Sequence, residues 1–583
     1  DFICRISLKT NVYVLICSIF ILITLLFINF SFSQNQIFVS ATGNNSTGNG
    51  SISNPYSTIK YAGDQAMPGD TIFVRAGTYQ NSDFGDNDIW TGEPVARLSN
   101  INGTAGNYIT FIPYQNEQVI IEFDGIYGFL IQNSSYIKIQ NIQNINVQLD
   151  TYYDNPQIIL SNDYQKMIKD MITIGNIIEI TNQRRLFAPN KRGLKNIVIS
   201  GFIFERCSNQ YPNKFWSKPD NQQSGAVGTR SGKYWIIEDN IIQFANGIGI
   251  DWGNEGSFRQ DLELGNNGNA FGSYGHVIKN NIIRDNGAAG TAAYMANSFE
   301  FTNNIVERNN NLHFSGKQRW ESAGVKVHNP KNSKISNNII RDNYCHGIWS
   351  DQGAGKKSIF KNNLILNNEK NGIEFEIGQR TTARVINNIF DGNDNGIRFS
   401  ASGGALIAHN LFIKSRTCDI QTHVYKREKD KWDSHNVEIY CNLFFHSPQF
   451  LKLSPPTDFA SRYLDYNVYA TNELNKKFHM KFNWKNKINL KFESWVDLIS
   501  ELNDDENCDK NSVKIVCRNE INNASIIKES DKYFVSIQLL NPLPEFIAID
   551  KVKNETDYNG EERDSMLIAG PFKTIKNGVY VEV

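Results

Sequence analysis

A short unit recurs through the middle of this chain, and no other feature restricts its fold so strongly. Asn337-Asn338-Ile339-Ile340 returns as Asn362-Asn363-Leu364-Ile365 and again as Asn387-Asn388-Ile389-Phe390, each time 25 residues on. It stands earlier as Asp239-Asn240-Ile241-Ile242, Asn280-Asn281-Ile282-Ile283 and Asn303-Asn304-Ile305-Val306, and later as His409-Asn410-Leu411-Phe412 and Cys441-Asn442-Leu443-Phe444. A period in the twenties built on short β-rich runs is one coil of a solenoid. Each coil buries its Ile, Leu and Phe against its neighbours, and no coil is stable alone. The repeated Asn falls at a bend, where it tolerates an unusual backbone and can hydrogen-bond the coils on either side. The regularly spaced Leu of a horseshoe repeat is absent.

A second strand follows a glycine in each unit, as in Gly247-Ile248-Gly249-Ile250-Asp251, Gly324-Val325-Lys326-Val327-His328 and Gly347-Ile348-Trp349-Ser350-Asp351. Gly372-Ile373-Glu374-Phe375-Glu376 and Gly396-Ile397-Arg398-Phe399-Ser400 continue the series. Strand alternation sends the first and third residues after Gly inward and the second and fourth outward. Aligned on Gly, the fourth position reads Asp251, Tyr294, His328, Asp351, Glu376, Ser400, and the second reads Gly249, Ala292, Lys326, Trp349, Glu374, Arg398. Stacked in register, these form two outward columns with neighbours about 4.8 Å apart. Asp351 and Glu376 are then adjacent carboxylates on an exposed sheet, with Glu374 a third beside them. Such a pair suits glycoside cleavage, which needs one carboxyl ionised and one protonated, and one-coil spacing favours the retaining geometry. Long insertions between Trp252 and Tyr274 and between Glu307 and Ala323 are expected to wall this face. Trp349, Trp320, Trp252 and Tyr294 offer flat surfaces for sugar rings, and Lys326, His328 and Arg398 offer groups for hydroxyls or an acidic substituent. Asp251-Trp252-Gly253-Asn254-Glu255 has a calcium-like composition but reads better as a turn.

The ends read differently. Arg5 and Lys9 precede an apolar run from Val12 to Ile28 and then Ser31-Phe32-Ser33-Gln34, the pattern of a secretory signal, with an uncleaved membrane anchor as the rival. Residues 1–34 are therefore expected to direct export to the cell surface, medium or periplasm, and residues 35–470 to form the solenoid. Ser57 to Met67 reads as a short capping helix ended by Pro68-Gly69-Asp70, with coiling starting at strand Thr71 to Val74. Repeats fade near Ala470, so 471–583 is expected to be an irregular C-terminal cap packed on the coils. Export permits disulfides; Cys508 with Cys517 is the expected pair, and Cys207 and Cys345 are expected to be buried singles. With 59 basic and 60 acidic residues and a net charge of -1, the chain has no electrostatic case for nucleic acid.

Several longer motifs carry a resemblance. Phe38-Val39-Ser40-Ala41-Thr42-Gly43, Pro55-Tyr56-Ser57-Thr58-Ile59 and Pro68-Gly69-Asp70-Thr71-Ile72 with Ala76-Gly77-Thr78-Tyr79 resemble the entry motif of exported bacterial right-handed parallel β-helix proteins of the pectate-lyase-like superfamily. Trp320-Glu321-Ser322-Ala323-Gly324-Val325-Lys326 is similar to that group's Trp-Glu-Ala-Gly-Gly-x-Lys element. Gly347-Ile348-Trp349-Ser350-Asp351 and Ile373-Glu374-Phe375-Glu376-Ile377 look like its Gly-Ile-Trp-x-Asp and Ile-Phe-x-Glu-Ile elements. Asp509-Lys510-Asn511-Ser512-Val513 and Ala569-Gly570-Pro571-Phe572 also fit. The resemblance implies an all-β right-handed parallel β-helix. Through the β-helical glycoside hydrolases, including the β-xylosidase family, it implies Asp351 as nucleophile and Glu376 as acid/base. This chain has Gln352-Gly353 after the Asp, where those enzymes tend to show an aromatic residue.

Three functions are carried forward. The first is a retaining glycosidase on a plant or algal polysaccharide or oligosaccharide, needing no cofactor or metal. It uses Asp351 and Glu376, with Lys326, His328, Trp349, Glu374, Arg398, Glu321, Trp320 and Asp251 around the substrate. The second is a uronate lyase, with Lys326 or Arg398 as base and calcium on Asp351, Glu374 and Glu376. The third is a non-catalytic glycan-binding solenoid. A monomer is expected, with membrane contact only through an uncleaved N-terminal segment.

Overall fold

Each repeat unit of the computed structural model contributes three strands, one more than the sequence reading anticipates. One coil runs Lys334–Ser336, Ile339–Arg341 and His346–Asp351, and each strand pairs in parallel with its counterpart in the next coil. The structure describes residues 35–582 except 86–92, 123–127, 143–146, 151–156, 162–186, 188, 190–192, 206, 208–224, 255–272, 315–321, 329, 353–356, 379–381, 424, 428–429, 433–436, 454–462, 472–479, 483–508, 518–521, 531, 548–554 and 576–578. The expected signal segment, most of the two insertions, Trp320, Glu321 and Cys508 lie outside the described residues. The chain divides into two compact units, residues 1–145 and 146–583.

In the first unit, Gln36–Val39, Thr71–Val74, Ile109–Pro113 and Ile137–Gln140 pair in parallel. The capping helix is shorter than expected, Ile59–Gln65. Thr58 begins it by accepting the Tyr61 N–H, the usual way to satisfy an end donor. Asp70 closes the following turn by accepting the N–H groups of Asn35 and Met67.

In the second unit a sheet running from Ile203–Glu205 to Val513–Val516 and another from Gly225–Gly228 to Met480–Phe482 stack beside a third made of strands such as Lys334–Ser336. The interior is filled by like residues in successive coils. Phe390, Phe412, Phe444 and Tyr469 stack with ring centroids 4.7, 5.0 and 5.2 Å apart. The repeated Asn pair divides its work. Its first member takes the left-handed backbone, with φ of 56° at Asn337, 57° at Asn362 and 56° at Asn387. The second builds a buried ladder: Asn338 Nδ2 donates to Asn363 Oδ1 (2.9 Å), Asn363 to Asn388 (2.8 Å) and Asn388 to Asn410 (3.0 Å). A parallel ladder unnoticed in the sequence runs through Asn286, Asn309, Asn343, Asn368 and Asn393 at the next bend. Its signal was legible, because each member lies five residues after a member of the first.

Replacing Asn388 by Ala should therefore orphan the Asn363 donors and the Phe360 carbonyl inside the stack. The expected cost is on the order of 3 kcal/mol in urea denaturation; an unchanged midpoint would show the ladder to be energetically idle.

Stacking continues past Ala470, since Met480–Phe482 pairs with Leu451–Leu453 and Val513–Val516 with Val468–Thr471. An antiparallel sheet of Asn523–Glu529, Lys532–Gln538 and Val579–Glu582 then covers one face of the coils. Val535, Ile537 and Phe546 pack on Leu364, Ile389, Leu411 and Leu443. That cover explains why the coil position that carries Arg284, Glu307 and Arg341 turns apolar at Leu366. Cys207, Cys345 and Cys517 are buried.

Candidate active site

The two columns form on the sheet that includes Ala323–His328, His346–Asp351, Ile373–Glu376 and Asn395–Ser400. Pairing sets Lys326 beside Trp349, Trp349 beside Glu374, and Glu374 beside Arg398. The second column sets His328 beside Asp351, Asp351 beside Glu376, and Glu376 beside Ser400. Inward positions Val325, Val327, Ile348, Phe375 and Phe399 are fully buried. Glycine holds the register because the next coil passes so close. A Cβ on Gly347 would lie 2.7 Å from the Gly372 carbonyl oxygen and 3.0 Å from Asn368 Nδ2 of the second ladder.

Asp251 is the correction this register makes. It pairs with Ala292, which in turn pairs with Lys326, so it belongs to the Lys326 column and not to that of Asp351. The glycine that aligns with Gly290 is Gly249, not Gly247. Asp251 accepts the Gly253 N–H at 2.8 Å, closing a turn. Trp252 is also displaced from the expected role: it is fully buried and stacks on Phe301 at 5.5 Å.

The face is not open, as expected of a bare sheet. Lys326 has no exposed surface, and His328, Asp351 and Glu374 are buried, while Trp349, Glu376 and Arg398 are half-buried. Lys326 Nζ sits 3.3 Å from Asp351 Oδ2 and 3.4 Å from the Trp349 ring centroid. His328 Nε2 meets the same Asp351 oxygen at 3.0 Å, and the Gln352 N–H donates to Asp351 Oδ1 at 2.7 Å. Desolvation pushes the Asp351 carboxyl up. Lys326, His328 and the Gln352 N–H outweigh it and hold the group below the usual carboxylate range. Lys326 is thus a partner of Asp351, and the Trp349 face beneath its ammonium is taken. The Tyr294 ring meets His328 at 5.1 Å.

Glu374 behaves oppositely. Burial pushes its carboxyl up to about 7, assisted by Glu376 and opposed by Arg398, Ser400 and Asn371. Asn371 Nδ2 donates to Glu374 Oε2 at 2.5 Å, and Asn395 Nδ2 to Asn371 Oδ1 at 2.7 Å. Sequence reasoning missed Asn371, Asn395 and His346, whose ring lies 5.0 Å from Trp349. The available signal was that Asn371, Asn395 and His346 each stand directly before a column glycine. The site therefore joins an ionised carboxylate to a proton-holding one, one coil apart. Among the described residues no group of three His, Cys, Asp or Glu is placed to hold a metal ion.

Replacing Lys326 by Met should leave Asp351 with less opposing charge. Its titration should rise by about 1–2 units, read as an upward shift of the acid limb of kcat/KM against pH. An unmoved limb would mean that Lys326 does not hold the carboxylate ionised.

Two stretches match known families: residues 37–193 match "Pel9A-like, right handed beta helix region" and residues 224–413 match "Right handed beta helix region". The chain is a right-handed parallel β-helix protein, consistent with the pectate-lyase-like superfamily. It is 22% identical over 484 residues to the uncharacterized protein YwoF of Bacillus subtilis (strain 168), covering 74% of this chain and 92% of that one. The solved complex of XylC with xylose is 16% identical with a TM-score of 0.51, covering 94% of this chain and 100% of the other. A lacto-N-biosidase from Eubacterium ramulus is more distant, at 12% identity and a TM-score of 0.39, covering 72% of this chain and 67% of the other. At these identities the structural likeness is one of fold.

Proposed function

We propose that this protein is an exported carbohydrate-active enzyme that hydrolyses a glycosidic bond with retention. One observation carries the reading: the buried Asp351 carboxylate is held ionised by Lys326 and His328, in register with Glu376 on the next coil. In the first step Asp351 attacks the anomeric carbon while Glu376 protonates the departing oxygen, leaving a glycosyl ester on Asp351. In the second, Glu376 takes a proton from water, the water attacks the same carbon, and Asp351 leaves as carboxylate. Asp351 and Glu376 are partners on adjacent strands, whose spacing of about 4.8 Å is in keeping with the carboxyl separation of about 5 Å that retention uses. The xylose bound to XylC, a protein of this fold, is in keeping with a saccharide substrate.

The lyase reading fares worse on the same geometry. Of its two candidate bases, Lys326 is committed to Asp351 and Trp349, and its calcium would have to share Asp351 with that ammonium. The test is a screen of the purified protein on plant and algal glycans with and without chelator, following reducing ends and ultraviolet absorbance together. Reducing ends without absorbance, insensitive to chelator, support hydrolysis. Absorbance that vanishes with chelator overturns it in favour of elimination.

A further inference from the structure

Beyond Glu374 and Glu376 the outward columns change sign. Arg398 pairs with Gln421, Gln421 with Lys452, and Lys452 with Lys481, while Ser400 pairs with His423. Among the described residues of the three coils after the carboxylates, neither column carries an acid. Asp419, the one carboxylate of strand Cys418–His423, is buried one position before Ile420 and accepts the Ser447 hydroxyl at 2.6 Å. No ion pair of Lys452 occurs among the described residues, and Lys452 and His423 are half-buried. Arg398 and Lys452 both depress the His423 imidazole, after desolvation, so the three face one region. Coils repeat about every 4.8 Å, so a glycan lying along the axis meets roughly one coil per sugar.

We propose that Arg398, Gln421 and Lys452 form an anionic-sugar subsite that receives a carboxylate or sulfate ester on the sugars reaching from the cleaved bond toward the C-terminal coils. Arg and Lys are the side chains that hold such oxyanions by charge-assisted hydrogen bonds, and Gln421 adds a neutral donor. This deepens the hydrolase reading and rests on it for the position of the cleaved bond, not for the charge of the ligand.

Titration calorimetry on the full-length Asp351→Asn and Glu376→Gln proteins measures binding without turnover. The probes are a hexagalacturonate, its carboxyl-reduced form, a sulfated carrageenan oligosaccharide and its desulfated form. At least one anionic member should bind about tenfold or more tighter than its neutral twin. The preference should shrink as salt rises and fall about tenfold in Lys452→Gln. Whichever pair shows it identifies the group as carboxylate or sulfate. Equal binding within both pairs, or a preference untouched by both salt and Lys452→Gln, overturns the subsite. Glycan cleavage by the wild type without charge preference would refute the subsite alone; charge preference without hydrolysis would refute the hydrolase alone.

Discussion

The Asp351→Asn protein is expected to lose about four orders of magnitude or more in kcat on any glycan the wild type cleaves, because a neutral amide replaces the carboxylate nucleophile that forms the ester. A 2-fluoro glycoside of the active sugar should label the wild type on the peptide bearing Asp351 and should fail to label the variant. A label on another peptide would remove Asp351 from the nucleophile's role. The substitution also strands Lys326, whose ammonium has no exposed surface, without its counter-charge. Removing one partner of a buried pair typically costs about 3–5 kcal/mol, so folding is checked by circular dichroism before kinetics are read. The pH dependence carries a definite sign. The Asp351 carboxyl lies below its ordinary value when folded. Its stabilisation is present above the unfolded pKa of about 4 and is lost as pH falls through the folded value. Wild-type stability should therefore drop below about pH 4 by an amount that the Asn variant lacks.

The fold was legible because the solenoid writes its core into sequence at fixed intervals. Asn338, Asn363 and Asn388 recur with their Ile or Leu partners, and each member has the same physical task in each coil. Register was harder to read. Gly247 and Gly249 both precede Asp251, and shifting the alignment by two preserves which side chains face inward. The hydrophobic pattern is blind to that shift, so Asp251 was set in the wrong column, while Lys326, Trp349, Glu374 and Arg398 were set correctly by their 23-, 25- and 24-residue steps. Pairings that depend on reach stayed hidden. Nothing in the sequence says that Lys326 folds over Trp349 to reach Asp351, or that outward-pointing residues on this face are buried. The Asn371 contact to Glu374 lies within four residues, yet Asn before Gly reads as a turn first.

The Glu376→Gln protein should separate the two glutamates. Loss of the general acid should cost about 10²–10⁴ in kcat/KM on substrates with poor leaving groups and much less on dinitrophenyl glycosides, which leave unaided. Added azide should restore turnover and give a glycosyl azide of retained configuration, since Asp351 still forms the ester. Glu374 plays a different part. Glu374 and Glu376 stand two apart on one strand, and the Glu376 charge adds to burial in raising the Glu374 carboxyl. With Glu374 held up to about 7, a proton stays on Glu374 beside Glu376 below that pH, and wild-type kcat/KM should fall as pH rises through about 7. Removing a like charge lowers the pKa of the carboxyl that remains. Glu374→Gln should therefore move this basic limb to lower pH while retaining leaving-group independence. If Glu374→Gln instead shows the leaving-group dependence and azide rescue, the proton donor is Glu374, and Glu376 is the neighbour that tunes it.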